Sequence, residues 1–192
     1  MFVEQDKVVE PKPEMTISKN GTEMLRSWEG EGDFLVTPTY LIFNGVTEKY
    51  PTIGYGHYMD DGYVVINGKN YSNLNADLAD QLYRQDVSSR DPILNKFLYD
   101  NNVVLSQEQY DACFIDLYQK GTSSSSSKPG WPISPAANYV KAKNYSSYND
   151  CLNAFLKAAD GSPPRLDGLK RRRTAEAILF FYGDYKMNGD IA

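Results

Sequence analysis

Near residue 73 the hydrophobic pattern changes period, and that change limits the chain to folds that keep sheet and helices apart. Between residues 39 and 72 short apolar runs alternate with glycine-bearing turn signals. TYLIF, Asn44-Gly45 and VTEKY read as a hairpin, because Asn-Gly accepts the positive φ of a type I′ turn. PTIGYGHYM reads as a further strand, and DDGYVVINGKNYS as a second hairpin around Asn67-Gly68. A small antiparallel sheet over 39–72 is expected. Beyond it apolar residues recur at helical spacing. Helices are expected at 73–87, at 91–98, at 107–120 behind a Ser106/Gln109 capping box, at about 134–144 and 148–159, and at 168–182. Before the sheet, Ser18 or Asn20 can cap a short helix carrying Met24, Leu25 and Trp28, with Gly30 and Gly32 to end it. Residues 1–14, with Pro11 and Pro13, read as an arm or linker, and the serine run 123–127 as a flexible loop. The fold class is α+β: one domain over 15–192, with a sheet lobe, a larger helical lobe over about 73–185 and a cleft between them.

Composition decides what such a cleft can hold. Of 192 residues 41% are apolar, enough for a real core, and 23% are charged. The net charge of -5 disfavours nucleic acid as a partner. One histidine cannot build a His-rich metal site, and two cysteines cannot build a disulfide scaffold. No run approaches the roughly 18 apolar residues of a membrane helix. The N-terminus has no apolar core of a signal peptide, so the chain reads as cytoplasmic at synthesis. Fifteen tyrosines suit a core edge or a sugar-lined cleft.

Few residues then remain for chemistry. Glu29 sits in RSWEGEGD, beside Trp28 and glycines that leave space; a carboxyl desolvated there could act as a general acid. A glutamate in water at a helix end is the plainer alternative. In PTIGYGH the Gly54/Gly56 pair is no dinucleotide fingerprint, since Met59 stands where a third glycine belongs. Thr52 could hold a water. No G-x-S-x-G elbow supports a nucleophile triad with His57, so a structural histidine paired with a carboxylate is expected. The run Arg171–Arg173 reads as a solvated helix face with one member turned inward. Cys113, on an apolar face, reads as a buried inert thiol.

Four blocks carry a resemblance: ISKNGTEMLRSWEG, PTIGYGH, LSQEQYDACFIDLYQKG and GLKRRRTAEAILFFYGDY, in that order over residues 17–185. Together they resemble the phage-type lysozymes and endolysins. The resemblance implies a lysozyme-like fold, no cofactor, and a monomer acting on bacterial cell-wall peptidoglycan after release. It implies cleavage of the β-1,4 bond between N-acetylmuramic acid and N-acetylglucosamine, without stable membrane insertion. Carried over, Glu29 matches the catalytic acid, Thr52 the threonine that places the attacking water, and His57 the structural histidine of its motif. Gln119 and Tyr40 match cleft residues that bind substrate, and Arg172 an arginine beside the acid.

The family pattern E-x8-D-x5-T is broken here. Glu29 and Thr52 are separated by 22 residues where the pattern has 14, so about eight are inserted. Val46 and Pro38 occupy the positions that counting from either end would assign to the aspartate. Glu48 is the preferred second carboxylate, with Asp33, or none, as alternatives. Two rival functions follow: a single-glutamate lytic transglycosylase, and a degenerate lysozyme that binds glycan or a partner without cutting.

Overall fold

The computed structural model describes residues 14–29, 35–40, 42–43, 45–47, 49–164 and 166–191. The expected arm, except Glu14, lies outside them, as do Gly30, Gly32, Asp33 and Glu48. Helix α1 spans Lys19–Glu29. Ser18 is its cap: the hydroxyl accepts from the Gly21 N–H at 3.0 Å. The Ser18 N–H and hydroxyl both donate to Asp111, so the start of the helix is pinned to the helical lobe. Met24 and Leu25 are fully buried, and the Trp28 indole donates to the Lys186 carbonyl at 2.9 Å.

The sheet lobe is antiparallel throughout, but it consists of three hairpins rather than one continuous ladder among the described residues. Strands β1 (Ile42–Phe43) and β2 (Val46–Thr47) pair, as do β3 (Thr52–Ile53) and β4 (His57–Tyr58), and β5 (Val64–Ile66) and β6 (Lys69–Tyr71). An isolated bridge joins Thr39 to Thr52. The segment expected as a single strand, PTIGYGHYM, therefore reverses on itself. Gly54 at φ 63° and Gly56 at φ 83° supply the left-handed conformations that reversal requires. The hairpin at Asn67-Gly68 forms as expected, with φ of 50° and 78°.

The two helices expected at 73–87 and 91–98 are one. Helix α2, Ala76–Asp100, runs through Pro92 and is capped by Asn75, which accepts from the Leu78 N–H. Proline removes one rung of the ladder, yet burial on both sides of it holds the helix together. Ala79 and Leu82 pack under the hairpins with Ile53, Met59, Val64, Ile66 and Leu74. Tyr83, Leu94, Phe97 and Leu98 pack into the larger core. One helix thus belongs to both lobes.

Helix α3, Gln107–Lys120, carries the expected Ser106/Gln109 capping box and stops at Gly121. Every residue from Tyr110 to Leu117 is buried, so α3 is the axis of the helical lobe. The serine run is more ordered than expected: β7 (Ser124–Ser125) pairs with β8 (Lys128–Pro129), anchored by the fully buried Trp131. Helices α4 (Pro135–Ala142), α5 (Tyr148–Leu156) and α6 (Asp167–Tyr182) close the lobe around α3. Cys113 and Cys151 are both buried and unpaired, and burial pushes the Cys113 thiol well above its ordinary value, as an inert thiol requires. Among the described residues no helix is long and apolar enough to cross a membrane.

Candidate active site

A cleft of about 400 Å³ opens between the lobes, lined by Glu29, Thr39, Thr52, Gly54, Gly56, Tyr118 and Gln119. Glu29 reaches it because α1, pinned at Ser18 and buried at Met24 and Leu25, ends there. The Glu29 side chain is 14% exposed, and its Oε1 meets Arg172 Nη1 at 2.7 Å. The opposite wall is the β3–β4 turn. A Cβ on Gly56 would stand 2.9 Å from Glu29 Oε2. Only glycine lets the turn and the carboxylate come so close. Gly56→Ala should therefore push the carboxylate aside and strain a backbone at positive φ, lowering kcat by about 100-fold. Steady-state kinetics beside a thermal melt will separate that loss from unfolding.

Thr52 and Thr39 exchange both backbone hydrogen bonds, at 2.8 and 2.9 Å, so their side chains share the face that meets the cleft. The Tyr118 hydroxyl donates to the Tyr55 carbonyl at 2.8 Å and ties the turn to α3. Burial raises the Tyr118 phenol well above its ordinary value, so it remains a neutral donor. Arg26 stacks over both the Tyr83 and Tyr55 rings, at 4.5 and 5.1 Å, and pairs with Asp80. These contacts fix the hairpin against the helices and so set the width of the cleft.

Behind Glu29 lies a row of buried charges. Arg172 Nε donates to Glu176 Oε1 at 3.1 Å; Arg173 bridges Glu176 and Asp116; Lys120 donates to Asp116 at 2.8 Å. Burial works against the Arg172 charge, but Glu29 and Glu176 outweigh it and raise its pKa above the ordinary arginine value. Burial, with Asp116 adding to it, pushes the Glu176 carboxyl up against the pull of Arg173 and Arg172. Burial likewise lowers Lys120, against the pull of Asp116.

Glu29, Thr52 and Gln119 meet in the cleft, with Arg172 directly behind the carboxylate. His57 stands aside, paired as expected with a carboxylate: Nδ1 lies 2.9 Å from both oxygens of Asp86. Tyr40 is 53% exposed and is not among the lining residues, where its neighbour Thr39 stands instead. The arginine run differs from expectation, since both Arg172 and Arg173 are buried. Tyr118, Gly56 and the Asp116/Glu176 pair had no part in the site expected from the sequence. Acid and base at i, i+3 and i+4 spacing on two apolar helices (Arg173 and Arg172 with Glu176, Asp116 with Lys120) was the available signal.

The chain matches the family model described as phage lysozyme over residues 38–176, well over half its length. Glu29 precedes that span, and tertiary contacts bring it to the cleft. An endolysin of Bacillus phage B103 is 31% identical over 172 residues, covering 90% of this chain; the match spans 56% of that relative's length. In fold, the chain is similar to an endolysin from Escherichia coli O157:H7 phage FAHEc1, at a TM-score of 0.58 and 22% identity over 91% of this chain and 98% of that one. It is also similar to the muramidase domain of SpmX from Asticaccaulis excentricus, at 0.57 and 24% over 86% and 97%. By the extent of the family match, the chain belongs to the phage lysozyme family.

Proposed function

We propose that this chain is a glycoside hydrolase of bacterial peptidoglycan, cleaving the β-1,4 bond between N-acetylmuramic acid and N-acetylglucosamine. The single observation that carries the reading is the Glu29 carboxyl, held by Arg172 on the inner end of a cleft whose other wall presents Thr52. Glycosidic bonds break through an oxocarbenium-like transition state, which needs a proton at the leaving oxygen and a nucleophile at the opposite face. Glu29 gives that proton. Thr52 orients a water toward the anomeric carbon from across the cleft, which leads to inversion. Gln119 and Tyr118 bind the glycan from the helical side. Glu48, or Asp33 in its place, supplies the second carboxylate. The family and the relative named an endolysin support a wall-degrading role, and the chemistry calls for no metal or organic cofactor.

One observation also favours a second reading. Among the described residues that line the cleft, Glu29 is the one carboxylate. A single acid suits a lytic transglycosylase, in which the C6 hydroxyl of the substrate attacks instead of water. Product analysis on purified cell walls separates the two. Hydrolysis yields a reducing-end muramic acid, initially as the α anomer if attack inverts. A 1,6-anhydro product would replace the water mechanism, and binding without cleavage would remove both.

A further inference from the structure

The structure assigns Glu176 the role of positioning residue for Glu29, exerted through Arg172, an inference that rests on the glycosidase reading above. A guanidinium is planar, and its direction is fixed when charged partners hold it at two different nitrogens. Arg172 has two: an ion pair from Nη1 to Glu29 Oε1 at 2.7 Å and a hydrogen bond from Nε to Glu176 Oε1 at 3.1 Å. Glu176 cannot turn away, because Arg173 holds its other oxygen. Arg173 is held in turn by Asp116, and Asp116 by Lys120. From Arg172 to Lys120 no side chain in the row is more than 6% exposed.

The row alternates in sign, from Glu29 through Arg172, Glu176, Arg173 and Asp116 to Lys120. Three anions face three cations, so the row carries no excess charge. Helix geometry produces the arrangement. Residues 172, 173 and 176 lie on one side of α6, and 116 and 120 lie one turn apart on α3. The rigidity of the α3–α6 interface is thereby transmitted to a carboxyl at the edge of the cleft. Glutamine at position 176 has one acceptor oxygen where Glu176 turns one to each arginine, so its amide N–H would face Arg172 or Arg173, the hold on Arg172 would loosen, and Glu29 would lose its fixed orientation.

Glu29 is faced by Arg172 from α6 and by the phenols of Tyr118 on α3 and Tyr83 on α2, both of which burial raises and keeps neutral. Glu176 is faced by Arg172 and Arg173 of its own helix, and by Asp116, Lys120 and the buried Cys113 thiol of α3. Removing the Glu176 charge therefore leaves Arg172 less balanced beside the acid. A carboxyl donor next to a less balanced cation surrenders its proton more readily. The basic limb of the activity profile should then move to lower pH.

The test compares the parent, Glu29→Gln, Glu176→Gln and Glu176→Asp on purified peptidoglycan, with pH profiles and melts. Glu176→Gln should lower kcat by up to about 100-fold, leave KM close to that of the parent, and shift the basic limb downward. Glu176→Asp keeps the charge, so it should restore the limb while recovering kcat only in part. A folded Glu176→Gln with the parental kcat and limb overturns the proposal. Should that variant not fold, the parent itself decides by NMR: Arg172 Nε–H should exchange slowly, and a fast-exchanging, averaged guanidinium overturns the proposal. A parent that cuts no glycan, or a Glu29→Gln variant that still cuts, defeats the glycosidase reading and this proposal together. An active parent, a dead Glu29→Gln and an indifferent Glu176→Gln defeat this proposal alone.

Discussion

Replacing Glu29 with Gln should lower kcat on peptidoglycan about a thousandfold, the middle of the range for losing a positioned general acid. That corresponds to about 4 kcal/mol of transition-state stabilisation. The amide matches the carboxyl in shape and keeps its place beside Arg172, so glycan binding should persist and KM should change little. What disappears is the proton. With no proton at the leaving oxygen, the bond must break with an alkoxide departing, and none of the described residues lining the cleft is a cation that could stabilise it. The measurement is initial-rate kinetics on purified walls at saturating substrate, with a pull-down to register binding. A variant that keeps a tenth or more of the parental kcat would remove Glu29 from the chemistry.

Arg172→Met should cost the most stability. The guanidinium is 6% exposed and sits between Glu29 and Glu176, which are 14% and 0% exposed. Its removal leaves two carboxylates facing each other without their shared cation. Breaking a buried pair from one side costs about 3–5 kcal/mol, because the remaining charge stays desolvated. For a domain of this length, that is a fall in Tm of roughly 10 °C. Methionine fills much of the arginine stem volume, so the loss reports charge rather than a cavity. Adding Glu176→Gln to Arg172→Met should recover part of the Tm, since it removes one of the stranded anions. A fall in Tm as small as that of a surface pair, below about 1 kcal/mol, would mean that water reaches the row.

Local rules made much of this architecture readable. The capping box at Ser106, the stop at Gly121 and the Asn67-Gly68 turn all depend on a few adjacent residues, and all form as their chemistry demands. Glu29, Thr52 and Gln119 were legible as motif residues, and they line one cleft. Other features went against their local signals. Pro92 argued for a break between helices, but α2 packs into both cores, and that burial outweighs one missing hydrogen bond. The glycines of TIGYGH were expected within a single strand, whereas their positive φ angles turn the chain and bring Gly56 against Glu29.

The charges separate the two levels most clearly. Sequence by itself determined the change of hydrophobic period, the helix caps, the turns and the residue types available for acid chemistry, because each depends on neighbours along the chain. Tertiary structure alone decided that Arg173, Asp116, Glu176 and Lys120 turn inward behind Arg172 and alternate in sign with it, and that Asp86 is the partner of His57. A charged side chain on a helix is as acceptable in water as in a paired interior. Which it finds depends on the helix that packs against it, and no local pattern encodes that distance.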